Sequence, residues 1–70
     1  MHYSTDYRIR EWQGRYDEIN KILYDIHKEM EFYIVNEECR LASILGEYER
    51  KLQKRKRMIE NYFDRHGVKY

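Results

Sequence analysis

The feature that most constrains this chain is a heptad repeat of apolar residues along its first half. The repeat advances in alternate steps of three and four residues, and every position is apolar or aromatic: Ile9, Trp12, Tyr16, Ile19, Leu23, Ile26, Met30 and Tyr33. A seam of this period turns one face of an α-helix toward a partner helix, as coiled-coil packing requires. The pattern therefore predicts a helix over about residues 5–35 whose seam is covered by another helix.

Size and composition agree with a small helical domain. The 70 residues are 39% charged and 41% hydrophobic, with no proline and three glycines, which is typical of long helices. A chain this short buries little apolar surface by itself, so self-association or docking on a larger protein is expected. Eight tyrosines, two phenylalanines and one tryptophan disfavour a disordered chain. We predict one domain over residues 1–70.

The apolar pattern changes phase after Val35. The positions of the second seam are Leu41, Leu45, Tyr48, Leu52, Ile59, Tyr62 and His66. Asn36 followed by two glutamates is typical of a helix N-terminus, because the asparagine side chain accepts from free backbone N–H groups. We therefore predict a turn at about 36–38, a second helix at about 39–66 and a short C-terminal tail.

The predicted helix ends carry capping signals. Ser4 or Thr5 would cap the first helix, and Asp6 suits the positive end of its dipole. Gly67 is predicted to be the glycine that follows the end of the second helix, after which the chain would fray.

These patterns favour an all-α fold, a coiled-coil-like antiparallel helical hairpin that completes a bundle by dimerisation or docking. Two alternatives stay open. One is a single helix of about 60 residues in a coiled coil, roughly 90 Å long at 1.5 Å per residue. The other is a hairpin that turns at Gly46 and has unequal arms.

Residues 30–35 are apolar on nearly every side of the helix, which indicates cover from more than one direction. We expect them near the middle of a bundle or beneath a partner. Tyrosine and tryptophan are also enriched at protein interfaces. The candidate partner-binding residues are therefore Trp12, Tyr16, Tyr24, Met30, Phe32, Tyr33, Ile34 and Val35.

A basic stretch interrupts the second seam. Its cations are Arg50, Lys51, Lys54, Arg55, Lys56 and Arg57. They would form a solvated face, meet an acidic protein or contact phosphates. In a hairpin that turns near 36, Arg55 would lie across from Asp17 and Glu18, which would absorb part of the charge. Residues 1–35 carry five cations and seven acids (−2), and residues 36–70 carry nine and six (+3), so the halves attract.

The sequence contains little that suggests catalysis. His27 and Glu31 have the spacing of half a metal site, but no further ligand motif completes it, so neither a metal nor a cofactor is expected. Cys39 lacks an evident activating neighbour. Gly-rich phosphate loops, nucleophile elbows and paired catalytic carboxylates do not occur, and we do not expect an enzyme.

We therefore expect a non-catalytic protein-binding module, a small adaptor or a regulator or inhibitor of a larger protein or assembly. Its partner would be another protein or a second copy, with a homodimer as the expected form. The alternative is a nucleic-acid-binding hairpin that uses residues 50–57. The longest apolar run, residues 32–35, is too short for a membrane span, and the single cysteine fits a reducing compartment. Cytoplasmic location without membrane contact is the expectation.

Overall fold

The chain folds into two antiparallel helices joined by a short turn. In the computed structural model, which describes residues 6–70, α1 spans Tyr7–Val35 and α2 spans Cys39–Arg65. The molecule measures 46 × 17 × 14 Å. The predicted hairpin with a turn at 36–38 is confirmed, and both the single long helix and the turn at Gly46 are wrong.

The first helix is capped by Asp6. The carboxylate oxygen Oδ1 of Asp6 accepts from the backbone N–H of Arg8 at 2.9 Å and of Ile9 at 3.4 Å. These bonds satisfy N–H groups that have no partner inside the helix. The capping predicted for Ser4 or Thr5 lies outside the described residues.

The turn closes α1 with a Schellman motif. The N–H of Glu38 donates to Tyr33 O at 2.8 Å, and the N–H of Glu37 donates to Ile34 O at 3.1 Å. Glu37 has φ +60°, the left-handed conformation that this motif requires. Asn36 was predicted to begin the second helix, and this is wrong. Its side-chain Nδ2 donates to Phe32 O at 2.7 Å, so it closes α1 instead.

The second helix ends in the same motif, with glycine at the left-handed position. Gly67 has φ +66°, and the N–H of Val68 donates to Phe63 O at 2.9 Å. The predicted role of Gly67 is confirmed. The predicted fraying is wrong, because Val68 is half-buried against the core and the Tyr70 ring lies 5.6 Å from the rings of both Tyr16 and Phe63.

The core lies along the contact between the helices in two clusters. One consists of Tyr16, Ile59 and Phe63, and the other of Leu23, Ile26 and Leu52. The α1 seam is therefore largely confirmed at its centre. Gln13, which is outside the seam, is 1% exposed. No buried side-chain nitrogen or oxygen in the described residues lacks a hydrogen-bond partner, so this burial leaves no unpaired group.

The α2 seam is confirmed only in part. Leu52 and Ile59 are buried as predicted, but Leu41, Tyr48 and His66 are exposed. Ala42 and Phe63 occupy the core instead. At both ends of α2 the buried residue is therefore the one that follows the predicted residue: Ala42 in place of Leu41, and Phe63 in place of Tyr62. The apolar surface of α2 is wide enough to contain both stripes, and packing against α1 selects one.

Cross-helix contacts set the register of the hairpin. Tyr16 bonds to Glu60, His27 pairs with Glu49, and the methyl of Met30 lies 3.8 Å from where a Cβ on Gly46 would stand. In each pair the two residue numbers add up to 76. Residue n of α1 is therefore level with residue 76 − n of α2.

Candidate protein-binding site

One side of the hairpin carries an open groove between the two helices, about 660 Å³ in volume. Both helices line it with apolar side chains and a few charged ones. The lining consists of Trp12, Arg15, Glu18, Ile19 and Ile22 from α1, and of Tyr48, Leu52, Arg55, Met58, Ile59, Tyr62 and Arg65 from α2.

The groove has an apolar floor and aromatic walls. Leu52 and Ile59 form the floor and belong to the core clusters. At one end the rings of Trp12 and Tyr62 are 5.7 Å apart and tilted by 43°. Met58 is 65% exposed and Tyr48 is 48% exposed. Each square ångström of such apolar surface that a partner removes from water contributes about 25 cal/mol, so the groove favours binding of an apolar surface.

Charged side chains border this apolar strip. The Nη2 atom of Arg15 donates to Glu11 Oε1 at 3.0 Å, and its guanidinium carbon lies 4.9 Å from the centre of the Trp12 ring. Glu18 and Arg55, which the sequence predicted to lie across from each other, both line the groove, but no ion pair within 4 Å joins them. Both charges therefore remain able to meet charges on a partner.

Polar bonds link the helices on the other side of their interface. The Tyr16 hydroxyl donates to Glu60 Oε2 at 2.6 Å, and His27 Nε2 lies 2.8 Å from Glu49 Oε2. Burial raises the pKa of Tyr16 to about 12, and the Glu60 carboxylate adds to the increase. Neither pair lines the groove, so the two sides of the hairpin differ: one is bridged by polar contacts and the other is an open apolar surface.

The candidate partner-binding residues of α1 are distributed over the molecule. Trp12 lines the groove, whereas Tyr16 is buried in the core with 6% exposure. Met30 is half-buried against the second core cluster. Tyr24 is 61% exposed outside the groove, with the Lys28 amine 4.7 Å from its ring centre.

The remaining candidates lie at the turn. Phe32 and Ile34 are each 61% exposed and Val35 is 75% exposed, while Tyr33 is half-buried with its ring edge-on to Phe32. Residues 30–35 end α1 in the hairpin, and the expectation that they lie near the middle of a larger bundle or beneath a partner stays a prediction. Leu41 and Ile44 of α2 extend this exposed apolar region, which we call the turn-end patch.

The basic stretch winds around α2. Five of its cations, Arg50, Lys51, Lys54, Arg55 and Arg57, are exposed. Lys56 is half-buried, and its amine lies 5.8 Å from the centre of the Tyr16 ring. Only Arg55 lines the groove. The stretch therefore does not form one flat basic face.

Tyr48, Met58 and Tyr62 line the groove but were not among the predicted binding residues. The sequence does contain a signal for them. Residues 41, 44, 48, 51, 55, 58, 62 and 65 follow steps of three and four, the period of a second helical stripe. This stripe is not an unbroken apolar seam, because Lys51, Arg55 and Arg65 occupy three of its positions.

No group of three or more His, Cys, Asp or Glu side chains in residues 6–70 is placed to hold a metal ion, and His27 contacts Glu49 rather than Glu31. Cys39 is exposed and free. No helix in the described part of the chain is long and apolar enough to cross a membrane.

In comparisons with known protein families, curated proteins and solved structures, nothing matches this chain.

Proposed function

We propose that this chain is a non-catalytic protein-binding module, a small adaptor or regulator of a larger protein or assembly. The observation that carries the proposal is the groove, in which Tyr48 and Met58 are exposed over a floor formed by the core. A groove between two helices suits an apolar helical surface, which would complete a bundle. The turn-end patch is a second apolar surface of the same module.

The exposed surface area supports the need for a partner. The chain has 5952 Å² of accessible surface. A compact monomer of 8.9 kDa exposes roughly 4,800 Å² by the usual scaling of area with mass. The excess of about 1,100 Å² is comparable to the ~800 Å² that each partner buries in a standard interface. If a partner covered one face of the hairpin, the accessible surface of the chain would be close to that of a compact protein of the same mass.

The chemistry of the groove also favours binding over catalysis. Its lining is aliphatic, thioether, aromatic and guanidinium side chains, with Glu18 as the one carboxylate. Guanidinium groups stay protonated and do not exchange protons at neutral pH. We therefore propose no reaction and no cofactor. The cytoplasm is part of the proposal, because a reducing compartment keeps the exposed thiol of Cys39 free.

A photo-crosslinking experiment tests the proposal. A benzophenone amino acid is placed at Met58 in the groove or at Asn61, which is exposed outside it. After irradiation in the producing cell, we expect one discrete protein adduct from position 58 and none from 61. The adduct mass tells a second copy from another protein. If position 58 gives no adduct, or only the same smear as 61, the binding function is contradicted.

The basic stretch supports nucleic-acid binding as a second candidate, because five of its six cations are exposed. Arg50, Lys54 and Arg57 follow steps of four and three, so they share one side of α2. If they contact phosphates, a labelled duplex should bind at about 50 mM salt and dissociate steeply as salt rises. Replacing these three residues with glutamine should remove that binding. The absence of binding at low salt would contradict this candidate.

A further inference from the structure

We propose that the occupant of the groove is a second copy of this chain, arranged with its turn at the same end as the first. The dimer would be a four-helix bundle with its two-fold axis parallel to the helices. In it, α1 of each copy faces α2 of the other. The inference rests on the proposed binding function and names the partner of the same groove.

The two edges of the groove carry opposite charges. Glu11, Glu18 and Asp25 of α1 are seven residues apart, so they follow one side of the helix, and Glu18 lines the groove. We call these three the acidic edge. The basic edge of α2 consists of Lys51, Arg55 and Arg65, of which the last two line the groove.

Arg15 also lies on the α1 side of the groove, and its bond to Glu11 offsets both of these charges, so the negative charge of the acidic edge comes from Glu18 and Asp25. A single acidic helix in the groove would suit only the basic edge, and a basic helix only the acidic edge. A second hairpin whose α2 faces α1 suits both edges at once.

The register of the hairpin extends this match to individual residues. Rotation about an axis parallel to the helices keeps every residue at the same height. Residue n of α1 is therefore level with residue 76 − n of the other copy's α2, as it is within one chain. Asp25 is then level with Lys51 of the second copy, and Glu11 with Arg65 of the second copy. By symmetry each pair occurs twice.

The same register also covers part of the turn-end patch. Phe32 is level with Ile44 of the second copy, and these side chains are 61% and 57% exposed in the single hairpin. Glu29 is level with Glu47 of the second copy, and these two exposed carboxylates repel each other. The apolar contact and the Asp25–Lys51 pair offset that repulsion, because a single like-charged pair between exposed side chains costs little.

The other face-to-face arrangement reverses the helix direction between copies. It places α1 on α1 and α2 on α2, with the turns at opposite ends. The acidic edge would then face an acidic edge, and the basic edge a basic edge. Repulsion along both edges disfavours this arrangement, so charge selects the one with turns together.

Cys39 allows a direct measurement because it is the single cysteine, is exposed and begins α2. A spin label on this native thiol reports the distance between the two copies by double electron–electron resonance. Neighbouring helices 8–10 Å apart place the labels roughly 15–30 Å from each other when the turns are together. Turns at opposite ends would separate them by nearly the 46 Å length of the hairpin.

Charge exchange between copies provides an independent test. Asp25→Lys and Lys51→Asp should each weaken the dimer roughly tenfold or more, because two attractive pairs become repulsive. Mixing the two variants should restore the affinity of the unmodified protein, since both contacts of the mixed dimer again join opposite charges. Both side chains are exposed, so helicity by circular dichroism should stay unchanged and serves as the folding control.

The proposal predicts a dimer by sedimentation at roughly 100 μM, a short label distance and rescue on mixing. A dimer with a distance near 46 Å, or no rescue on mixing, would overturn it. A monomer at this concentration would also overturn it. In that case, an adduct from position 58 with a different protein would leave the proposed binding function standing.

Discussion

The hydroxyl of Tyr16 donates a 2.6 Å hydrogen bond to the carboxylate of Glu60, and this bond joins α1 to α2 beside the fully buried ring of Phe63. Hydrogen bonds to charged acceptors contribute about 1.5–3 kcal/mol, and more is lost if the carboxylate is left without a donor. The tyrosine thus fills the core with its ring and sets the register with its hydroxyl.

Removal of this hydroxyl should destabilise the hairpin. We expect Tyr16→Phe to lower the free energy of unfolding by about 1–3 kcal/mol, because the ring stays but Glu60 loses its donor. Urea unfolding followed by circular dichroism measures the change. Tyr24→Phe is the matched control, since Tyr24 is exposed and its contact with Lys28 uses the ring, and it should change stability by less than about 0.5 kcal/mol. Equal effects would contradict the importance of the Tyr16 bond.

The same residue predicts a pH dependence in alkaline solution. The pKa of Tyr16 is raised from 10.0 to about 12 in the folded chain, so folding favours the protonated phenol. This stabilisation is complete below pH 10 and is lost as the pH rises through 12. Unfolding measured from pH 8 to 12 should show that the stability gap between the unmodified protein and Tyr16→Phe shrinks above pH 10. A constant gap would show that Tyr16 ionises as an ordinary tyrosine.

The turn contains a residue in an unfavourable conformation. Glu37 has φ +60°, which costs most L-residues roughly 1 kcal/mol and glycine almost nothing. Glu37→Gly should therefore raise the free energy of unfolding by about 0.5–1 kcal/mol. Glu38→Gly is the neighbouring control; Glu38 has φ −90°, so added chain flexibility should leave stability equal or lower. Destabilisation by both changes would mean that the left-handed turn does not form.

The C-terminal tail should contribute to stability. Tyr70 packs its ring on Tyr16 and Phe63, and its hydroxyl donates to Asp64 Oδ1 at 3.2 Å. Such aromatic contacts contribute about 0.5–1.5 kcal/mol each beyond area burial, so Tyr70→Ala should lower the thermal midpoint by several degrees. Tyr7→Ala is the control at a 75% exposed position. Equal melting temperatures for both variants would show that the tail is not docked.

The capping signals were only partly readable in advance. Gly67 was predicted correctly because glycine, which has no Cβ, adopts the left-handed conformation without steric cost. The equivalent residue in the turn is Glu37, which has no such preference, so the motif there had no sequence signal. An asparagine such as Asn36 can cap a helix that follows it, or its side chain can donate to a carbonyl of the helix before it, as it does to Phe32 O. The direction that the backbone takes after Val35 decides which of these bonds forms.

The groove was harder to predict than the core of α1. Trp12 was expected to bind a partner and does line the groove, but Tyr16 carries the same aromatic signal and is buried. The heptad pattern identifies an apolar side of α1 and says nothing about which part of it the second helix covers. Met58 belongs to the second helical stripe, which cations interrupt, and a single methionine beside Arg57 is also compatible with a solvated helix surface.

The sequence by itself determined that the chain is helical and that its apolar faces are wide, and it favoured a turn near residue 36 over a single long helix or a turn at Gly46. These properties follow from the spacing of side chains along one helix, which local geometry dictates. Only the tertiary structure decided which stripe of each wide face is buried. The hairpin buries the stripe of Ala42, Leu52 and Phe63 and leaves that of Tyr48, Met58 and Tyr62 along the groove, because one neighbouring helix covers only part of an apolar face.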